Sequence, residues 1–210
     1  MLAYVKDPAE IYRQSFEIIR REAPIDRLPA DVASLAVRLI HACGMIDIAD
    51  SLAFSDDVVE SGRHALQEGA PILCDTAMTA AGIIRRHLPA GNEILIASEN
   101  PASADHAKKM GNTRSAAGVD LWGERLDGGV VAIGNAPTAL FRLVERIDLD
   151  GYRPAAILGF PVGFVGAAES KELLAEGSLG VPFITLRGRR GGSAMAAAAV
   201  NALLIGEGAA

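Results

Sequence analysis

Apolar residues recur at helical spacing through the first third of the chain. In the first predicted helix, Asp7 is a suitable N-cap and Pro8 occupies the first turn. We expect Ser15 to lie on the buried side of this helix, because it shares a face with three isoleucines. That predicted apolar stripe consists of Ile11, Ser15, Ile18 and Ile19.

A second helix is predicted from near Pro29 to Gly44, and a third over residues 56–68. The core stripe of the second helix is formed by Val32, Leu35, Ala36, Leu39 and Ile40. At about 100° per residue, Ser34, Arg38 and His41 fall together on the opposite face.

From residue 70 onward, short apolar runs alternate with helical patterns. Five such alternations are typical of a parallel sheet with helices on both faces. The sequence therefore predicts a single α/β domain over residues 1–210, with three α/β/α layers, a mainly parallel sheet of about five strands and an N-terminal helical extension. The predicted strands are 71–74, 93–97, 130–133, 155–158 and 182–186, and the helices that follow them are 76–87, 103–125, 137–147, 167–176 and 193–205.

Glycine is concentrated where three of the predicted strands end, in residues 134–138, 159–163 and 187–193. Folds of this class bind ligands beyond the carboxyl ends of their strands. Glycine there permits a backbone to approach a ligand, but it also permits a tight turn without one. The segment 187–193 is open to two interpretations, an anion site at a helix N-terminus or a solvated basic turn.

Composition narrows the range of functions. Half of the 210 residues are hydrophobic, which excludes an intrinsically disordered chain. The net charge is −6, which excludes a uniformly basic surface that would coat nucleic acid. The uncharged stretch 154–168 is interrupted by glycine and proline and is too short to span a membrane. The N-terminus becomes charged before an apolar stretch develops, so we expect no secretory signal and a cytoplasmic location.

Metal and nucleotide signatures are absent from the sequence. The two cysteines, Cys43 and Cys74, cannot build a disulfide framework, and no pair of histidines, cysteines or carboxylates has zinc spacing. Neither a dinucleotide-binding glycine fingerprint nor a phosphate-binding loop occurs. We therefore expect that neither a metal nor a nucleotide is needed.

His41 is the candidate for acid–base chemistry. With Arg38 three residues before it, His41 is expected to be neutral until an anion binds the arginine and favours the protonated form. The alternative is that these residues form an ordinary solvated helix face.

Several strings in the chain resemble, in order and spacing, those of the precorrin-8X methylmutase family. They span nearly the whole chain and include Arg38 three residues before the histidine of the His-Ala-Cys-Gly string. The matching strings are residues 11–16, 40–44, 70–75, 111–117, 132–140, 159–171 and 191–194.

The resemblance implies an isomerase of corrin-ring assembly. The family moves a methyl group from C-11 to C-12 of the macrocycle, giving hydrogenobyrinic acid in the aerobic route to vitamin B12. A related enzyme of the anaerobic route acts on a cobalt-bearing ring, but residues 41–44 and the compact length are more similar to the aerobic branch. The resemblance also implies a homodimer that needs no added cofactor.

The family's functional residues match positions in this chain. Its general acid corresponds to His41, and its substrate-contacting serine and arginine correspond to Ser15 and Arg38. The substrate bears several carboxylates, which also suits Arg114, although Thr113 can simply cap a helix there. Further substrate hydrogen bonds are expected from N–H groups near Gly134, Gly163 and Gly191.

A second hypothesis is a non-catalytic tetrapyrrole- or nucleotide-binding module of the same architecture. A carrier needs no acid, so the combination of His41, Arg38 and Ser15 favours the enzyme.

Overall fold

The computed structural model describes residues 2, 4–176 and 179–205. Within these ranges a six-stranded sheet has the strand order β1-β6-β5-β4-β2-β3. Strands β2 to β6 pair in parallel, whereas the edge strand β1 is antiparallel to β6. The strands are β1 Leu52–Phe54, β2 Ile72–Cys74, β3 Ile94–Ile96, β4 Val130–Ile133, β5 Ala156–Gly159 and β6 Phe183–Leu186.

Helices cover both faces of the sheet. Ile72 and Cys74 belong to a buried cluster with α2, α3, α4 and α9, whereas Leu73, between them, belongs to a second cluster with α6, α7 and α8. This alternation follows from the two-residue period of a strand, and it confirms the predicted three-layer architecture. The helices are α1 Pro8–Glu22, α2 Ala30–Cys43, α3 Val58–Gln67, α4 Ala77–Ala81, α5 Ser103–Met110, α6 Arg114–Asp120, α7 Pro137–Asp150, α8 Ala167–Glu176 and α9 Ser193–Ile205.

The sheet has one strand more than the sequence predicts. All five predicted strands are present, and the additional strand is β1. It has only three residues, follows a short 3-10 helix over Ile46–Ser51, and lies against β6 rather than in the parallel series. No helical pattern separates it from a neighbouring strand as in the alternating part of the chain, and it forms through its pairing with β6.

Two predicted helices are interrupted. The helix predicted over 76–87 ends at Ala81, because the Asn201 side chain accepts from the Ile84 N–H and donates to the Gly82 carbonyl. The helix predicted over 103–125 divides at Gly111, which has a left-handed φ of 64°. Thr113 then begins α6 by accepting a hydrogen bond from the Ala116 N–H.

The predicted apolar stripe of α1 is partly wrong. Ile19 is buried and Ser15 is half-buried, but Ile11 and Ile18 are 45% and 44% exposed. Phe16 packs against the core instead of these two residues. Helix α1 contacts mainly α2, so it needs only a narrow buried face.

A buried carboxylate connects two strand ends at the carboxyl edge of the sheet. Asp75, directly after β2, accepts hydrogen bonds from the N–H groups of three consecutive residues after β4, at 2.8–3.1 Å. It also accepts from the Thr79 hydroxyl. The three N–H donors belong to Gly134, Asn135 and Ala136.

Among the described residues, none of the helices combines the length and the apolar character that crossing a bilayer requires.

Candidate active site

Helix α2 presents Arg38 and His41 on the face that points away from the core. Its buried stripe is at most 2% exposed, whereas Arg38 is half-buried and His41 is exposed. The predicted arrangement of the two faces is therefore confirmed. The helix ends at Gly44, whose left-handed φ of 71° stops it one turn after His41.

Helix α1 surrounds the imidazole of His41. The Ser15 hydroxyl oxygen lies 2.9 Å from Nδ1 of His41. The Tyr12 ring stacks on the imidazole, with centroids 5.2 Å apart and an interplanar angle of 29°. The Phe16 ring meets the imidazole edge-on, at 5.3 Å and 82°.

The Phe16 ring contacts Arg38 as well as His41. The guanidinium carbon of Arg38 lies 5.4 Å from the centroid of the Phe16 ring, a distance typical of a cation–π contact. Although His41 is exposed as a residue, the rings of α1 cover part of its imidazole, and this partial burial, with the positive charge of Arg38, lowers its pKa. The free protein therefore favours the neutral imidazole, and an anion that neutralises Arg38 favours its protonated form.

An open cavity of about 240 Å³ lies beside Arg38 and His41. A second wall is formed by α9 and by the turn after α4. Most residues of this wall are glycine or alanine, and Gly82 approaches α9 so closely that a Cβ there would lie 2.6 Å from Cβ of Ala197. The resulting smooth surface suits a flat ligand. The cavity is lined by Tyr12, Arg38, His41, Ala42, Gly82, Ile84, Ala194, Ala197, Ala198 and Asn201.

Arg114 lies apart from this cavity. Its side chain is exposed at the start of α6 and donates a hydrogen bond to the Ser98 carbonyl at 2.9 Å. Thr113 caps α6, which is the structural role that the sequence left open. Arg114 is at the carboxyl edge of the sheet, beyond β3, but it does not line the His41 cavity.

The three glycines expected to donate to a ligand have local structural roles. The Gly134 N–H donates to Asp75, and the Gly163 N–H donates to the Arg189 carbonyl, so neither is free for a ligand. This differs from the expectation. A Cβ at Gly191 would lie 2.3 Å from the Phe160 carbonyl oxygen, so close packing of two loops requires glycine there.

The arginines of the basic turn before α9 already have partners within the chain. Arg187 forms an ion pair with Glu172, and Arg190 forms one with Asp47 at 2.7 Å. The Arg189 guanidinium lies over the Phe164 ring. These contacts favour the interpretation of the segment as a structural turn over that of an anion site.

Among the described residues, no group of three or more histidines, cysteines or carboxylates is arranged to hold a metal ion. His106 instead bonds to Asp120, with 2.8 Å between the imidazole and the carboxylate. Cys43 and Cys74 are not joined in a disulfide, and burial raises the pKa of Cys74 to about 12.

Three further residues of the site, Tyr12, Phe16 and Asn201, are not predicted from the sequence. The signal for the two aromatic residues was available, since Tyr12 lies one helical turn before both Ser15 and Phe16. No local signal indicates Asn201, because its role depends on contacts with residues more than 100 positions earlier.

Comparison with known proteins adds the family context. Residues 10–205 match the family described as Precorrin-8X methylmutase. A relative from Pseudomonas aeruginosa named Precorrin-8X methylmutase is 57% identical, and the alignment covers 97% of this chain and 98% of the relative. A relative from Priestia megaterium named Cobalt-precorrin-8 methylmutase is 36% identical, with 94% and 88% covered.

A solved structure has the same fold. The crystal structure of a precorrin-8x methyl mutase from Thermus thermophilus superposes with a TM-score of 0.84 at 39% sequence identity. The superposition covers 93% of this chain and 94% of that one.

Proposed function

This chain belongs to the precorrin-8X methylmutase family, and on that premise we propose that it is the isomerase that converts precorrin-8X into hydrogenobyrinic acid. The observation that carries the proposal is the position of His41. It is bonded to Ser15, adjacent to Arg38 and open to a cavity, in a chain similar to methylmutases along nearly its full length.

The proposed reaction moves a methyl group from C-11 to C-12 of the macrocycle. His41 protonates the conjugated ring, which lowers the barrier to the 1,5-shift. The methyl group migrates with its bonding electron pair, and the ring then returns the proton, so that substrate and product are isomers. A histidine suits this role because its proton can be given and recovered near neutral pH.

Substrate capture is assigned to Arg38 and Ser15, with Arg114 and Gly191 as further candidates. A protein with a net charge of −6 repels a polycarboxylate at long range, so binding requires a local positive site. Arg38 supplies that charge at the cavity, and the wall of small residues on α9 can receive the flat ring. Carboxylate binding also reverses the effect of Arg38 on His41 and thereby favours its acid form.

The metal-free substrate of the aerobic route is favoured over the cobalt-bearing ring. The relative named for precorrin-8X is 57% identical to this chain, whereas the one named for cobalt-precorrin-8 is 36% identical. The proposed mechanism uses this chain's own side chains and includes no metal or other cofactor.

We further propose a cytoplasmic homodimer. The free thiols of Cys43 and Cys74 suit a reducing compartment. Exposed apolar side chains support association, and a cavity of about 240 Å³ leaves most of a macrocycle uncovered in a single chain. Sedimentation at micromolar concentration should give twice the mass of one chain, and a monomer would contradict the dimer. The large exposed apolar or aromatic residues described near the start of the chain are Leu2, Tyr4, Val5, Ile11, Tyr12 and Ile18.

The test of function is conversion of precorrin-8X by the purified protein, followed by visible absorption, with cobalt-precorrin-8 in parallel. We expect His41→Ala to lose at least about 100-fold in turnover and to retain the spectral change of ring binding. His64→Ala, on α3 and outside the cavity, is the matched control and should be fully active. Binding without conversion by the unmodified protein would identify a carrier, and near-normal turnover of His41→Ala would exclude His41 as the acid.

A further inference from the structure

Two aromatic rings contact the imidazole of the proposed acid. Tyr12 stacks on the face of the His41 imidazole, and Phe16 stands edge-on to both rings. The two α1 residues are four positions apart, so one turn of the helix supplies both contacts. The imidazole is thus held by ring contacts as well as by the hydrogen bond from α1.

The stacking supplies a constraint that Ser15 alone does not. A single hydrogen bond at Nδ1 fixes one point of the imidazole but leaves the ring free to tilt about that bond. A second ring lying 5.2 Å away at an angle of 29° restricts this tilt. Together the two contacts determine the direction of Nε2, the ring nitrogen that Ser15 leaves available to a ligand.

The same geometry has an electrostatic consequence. The face of a tyrosine ring carries partial negative charge and attracts a cation within about 6 Å of its centroid. An imidazolium gains this attraction, whereas a neutral imidazole gains only ordinary ring contact. The stack therefore stabilises the protonated form relative to the neutral one.

Other groups around His41 act in the opposite direction or are neutral. Burial and the charge of Arg38 lower the pKa of His41. The turn after α4 contributes Gly82 and Ile84, and α9 contributes three alanines and Asn201, none of which carries charge. Among the described residues that line the cavity, the titratable side chains are Tyr12, Arg38 and His41.

We propose that Tyr12 is a positioning residue for His41, whose ring orients the imidazole and stabilises the imidazolium against the repulsion from Arg38. The inference rests on the proposed role of His41 as the acid. It predicts that the aromatic ring of Tyr12 is required and that its hydroxyl is not.

The test compares Tyr12→Leu, which removes the ring, with Tyr12→Phe, which keeps it. The titration of His41 is followed by NMR of histidine-labelled protein, and its signal is assigned by its absence from His41→Gln. We expect Tyr12→Leu to weaken proton binding at His41 about two- to five-fold, from the usual strength of an exposed cation–π contact. Tyr12→Phe should titrate like the unmodified protein. Tyr4→Leu, at an exposed tyrosine that precedes α1, is the matched control and should not change the titration.

A catalytic readout completes the test. In Tyr12→Leu we expect kcat to fall and the pH dependence of kcat to move to lower pH, with a smaller change in KM. In Tyr12→Phe we expect kcat and its pH dependence to match those of the unmodified protein. If Tyr12→Leu does not fold, Tyr12→Trp keeps a ring with a stronger attraction for cations and should strengthen proton binding at His41.

An unchanged His41 titration in folded Tyr12→Leu, or in Tyr12→Trp where that variant is needed, would overturn the proposal. A titration in Tyr12→Phe that falls as far as that of Tyr12→Leu would overturn it too, because the hydroxyl rather than the ring would then be responsible. The titration requires no turnover. Loss of the methylmutase assignment is therefore distinguishable from loss of the role of Tyr12.

Discussion

The hydroxyl oxygen of Ser15 lies 2.9 Å from Nδ1 of His41, which joins α1 to α2 across 26 positions of sequence. When the imidazole is protonated, its Nδ1–H donates to this oxygen and its Nε2–H is the proton left for a ligand. The contact gives Ser15 a role in orienting the proposed acid, in addition to the substrate contact that the family resemblance implies.

Ser15→Ala should lower turnover about three- to ten-fold, because one hydrogen bond of ordinary net strength is lost. Ser15→Thr retains the hydroxyl and should recover part of the rate. Conversion of precorrin-8X measures both, with Ser61→Ala on α3 as the control. Equal rates for Ser15→Ala and the unmodified protein would show that the hydrogen bond does not matter for catalysis.

Arg38→Ala should weaken binding of the product corrin about ten- to a hundred-fold, since a charge-assisted hydrogen bond contributes roughly 1.5–3 kcal/mol. Arg38→Lys should recover only part of this, because lysine cannot bind a carboxylate through two parallel hydrogen bonds. Titration monitored by the visible absorption of the ring measures all three proteins.

Arg20→Ala is the matched control for Arg38, because the Arg20 guanidinium lies 5.8 Å from the centroid of the same Phe16 ring but outside the cavity. Its affinity for the corrin should be close to that of the unmodified protein. Equal affinity in Arg38→Ala would instead identify Arg38 as an ordinary residue of a solvated face.

The pH dependence should differ between the free protein and the complex. The pKa of His41 is lowered in the free protein, first by burial and then by Arg38. Since the acid must be protonated, kcat/KM should fall as pH rises through this lowered value. A bound carboxylate neutralises Arg38, so kcat should fall at a higher pH.

Arg38→Met should raise the pKa of His41 in the free protein toward its ordinary value. The pKa of His41 is lower in the folded protein than in the unfolded chain. The neutral imidazole therefore adds slightly to the free energy of unfolding above the pKa of the unfolded chain, and this contribution is lost as pH falls through the pKa of the folded protein. Rate profiles from about pH 5 to about pH 9 and histidine NMR measure these effects. Coincident profiles for kcat and kcat/KM would contradict the proposed coupling to Arg38.

Asp75→Asn should lower the free energy of unfolding by about 3 kcal/mol, because an amide replaces one acceptor oxygen with a donor that faces backbone N–H groups. Denaturant unfolding measures the loss. Asp127→Asn is the control, since Asp127 is exposed and accepts from one backbone N–H, that of Arg153. It should cost about 1 kcal/mol or less. Equal losses would show that the cluster of donors around Asp75 adds no stability.

The sequence predicts the fold correctly where a regular pattern of hydrophobic positions extends over many residues. The stripe of α2 places Arg38 and His41 correctly, because fourteen residues of regular pattern fix the orientation of the helix. Strand β1 and the break after Ala81 are not predictable in this way. The first depends on pairing with β6, and the second on the side chain of Asn201.

The sequence predicts which residues form the candidate site, but it does not predict the contacts that surround them. The resemblance identifies Ser15, Arg38 and His41 together, and the structure brings the three close to one another. For Gly134 and Gly163 the residue type was uninformative, since glycine at a strand end serves a ligand or another loop equally well. Their N–H groups bond within the chain, which only the tertiary arrangement reveals.

The cavity wall joins Tyr12 to Asn201, so the site needs both the first and the last helix of the described chain. During synthesis at about 5–20 residues per second, Asn201 emerges from the ribosome roughly 8–32 s after His41. Until then, α2 lacks its main packing partner, and part of its buried stripe stays exposed to other nascent chains or chaperones. A nascent chain that still lacks α9 therefore has an incomplete cavity, and ligand binding there begins only after α9 has been synthesised.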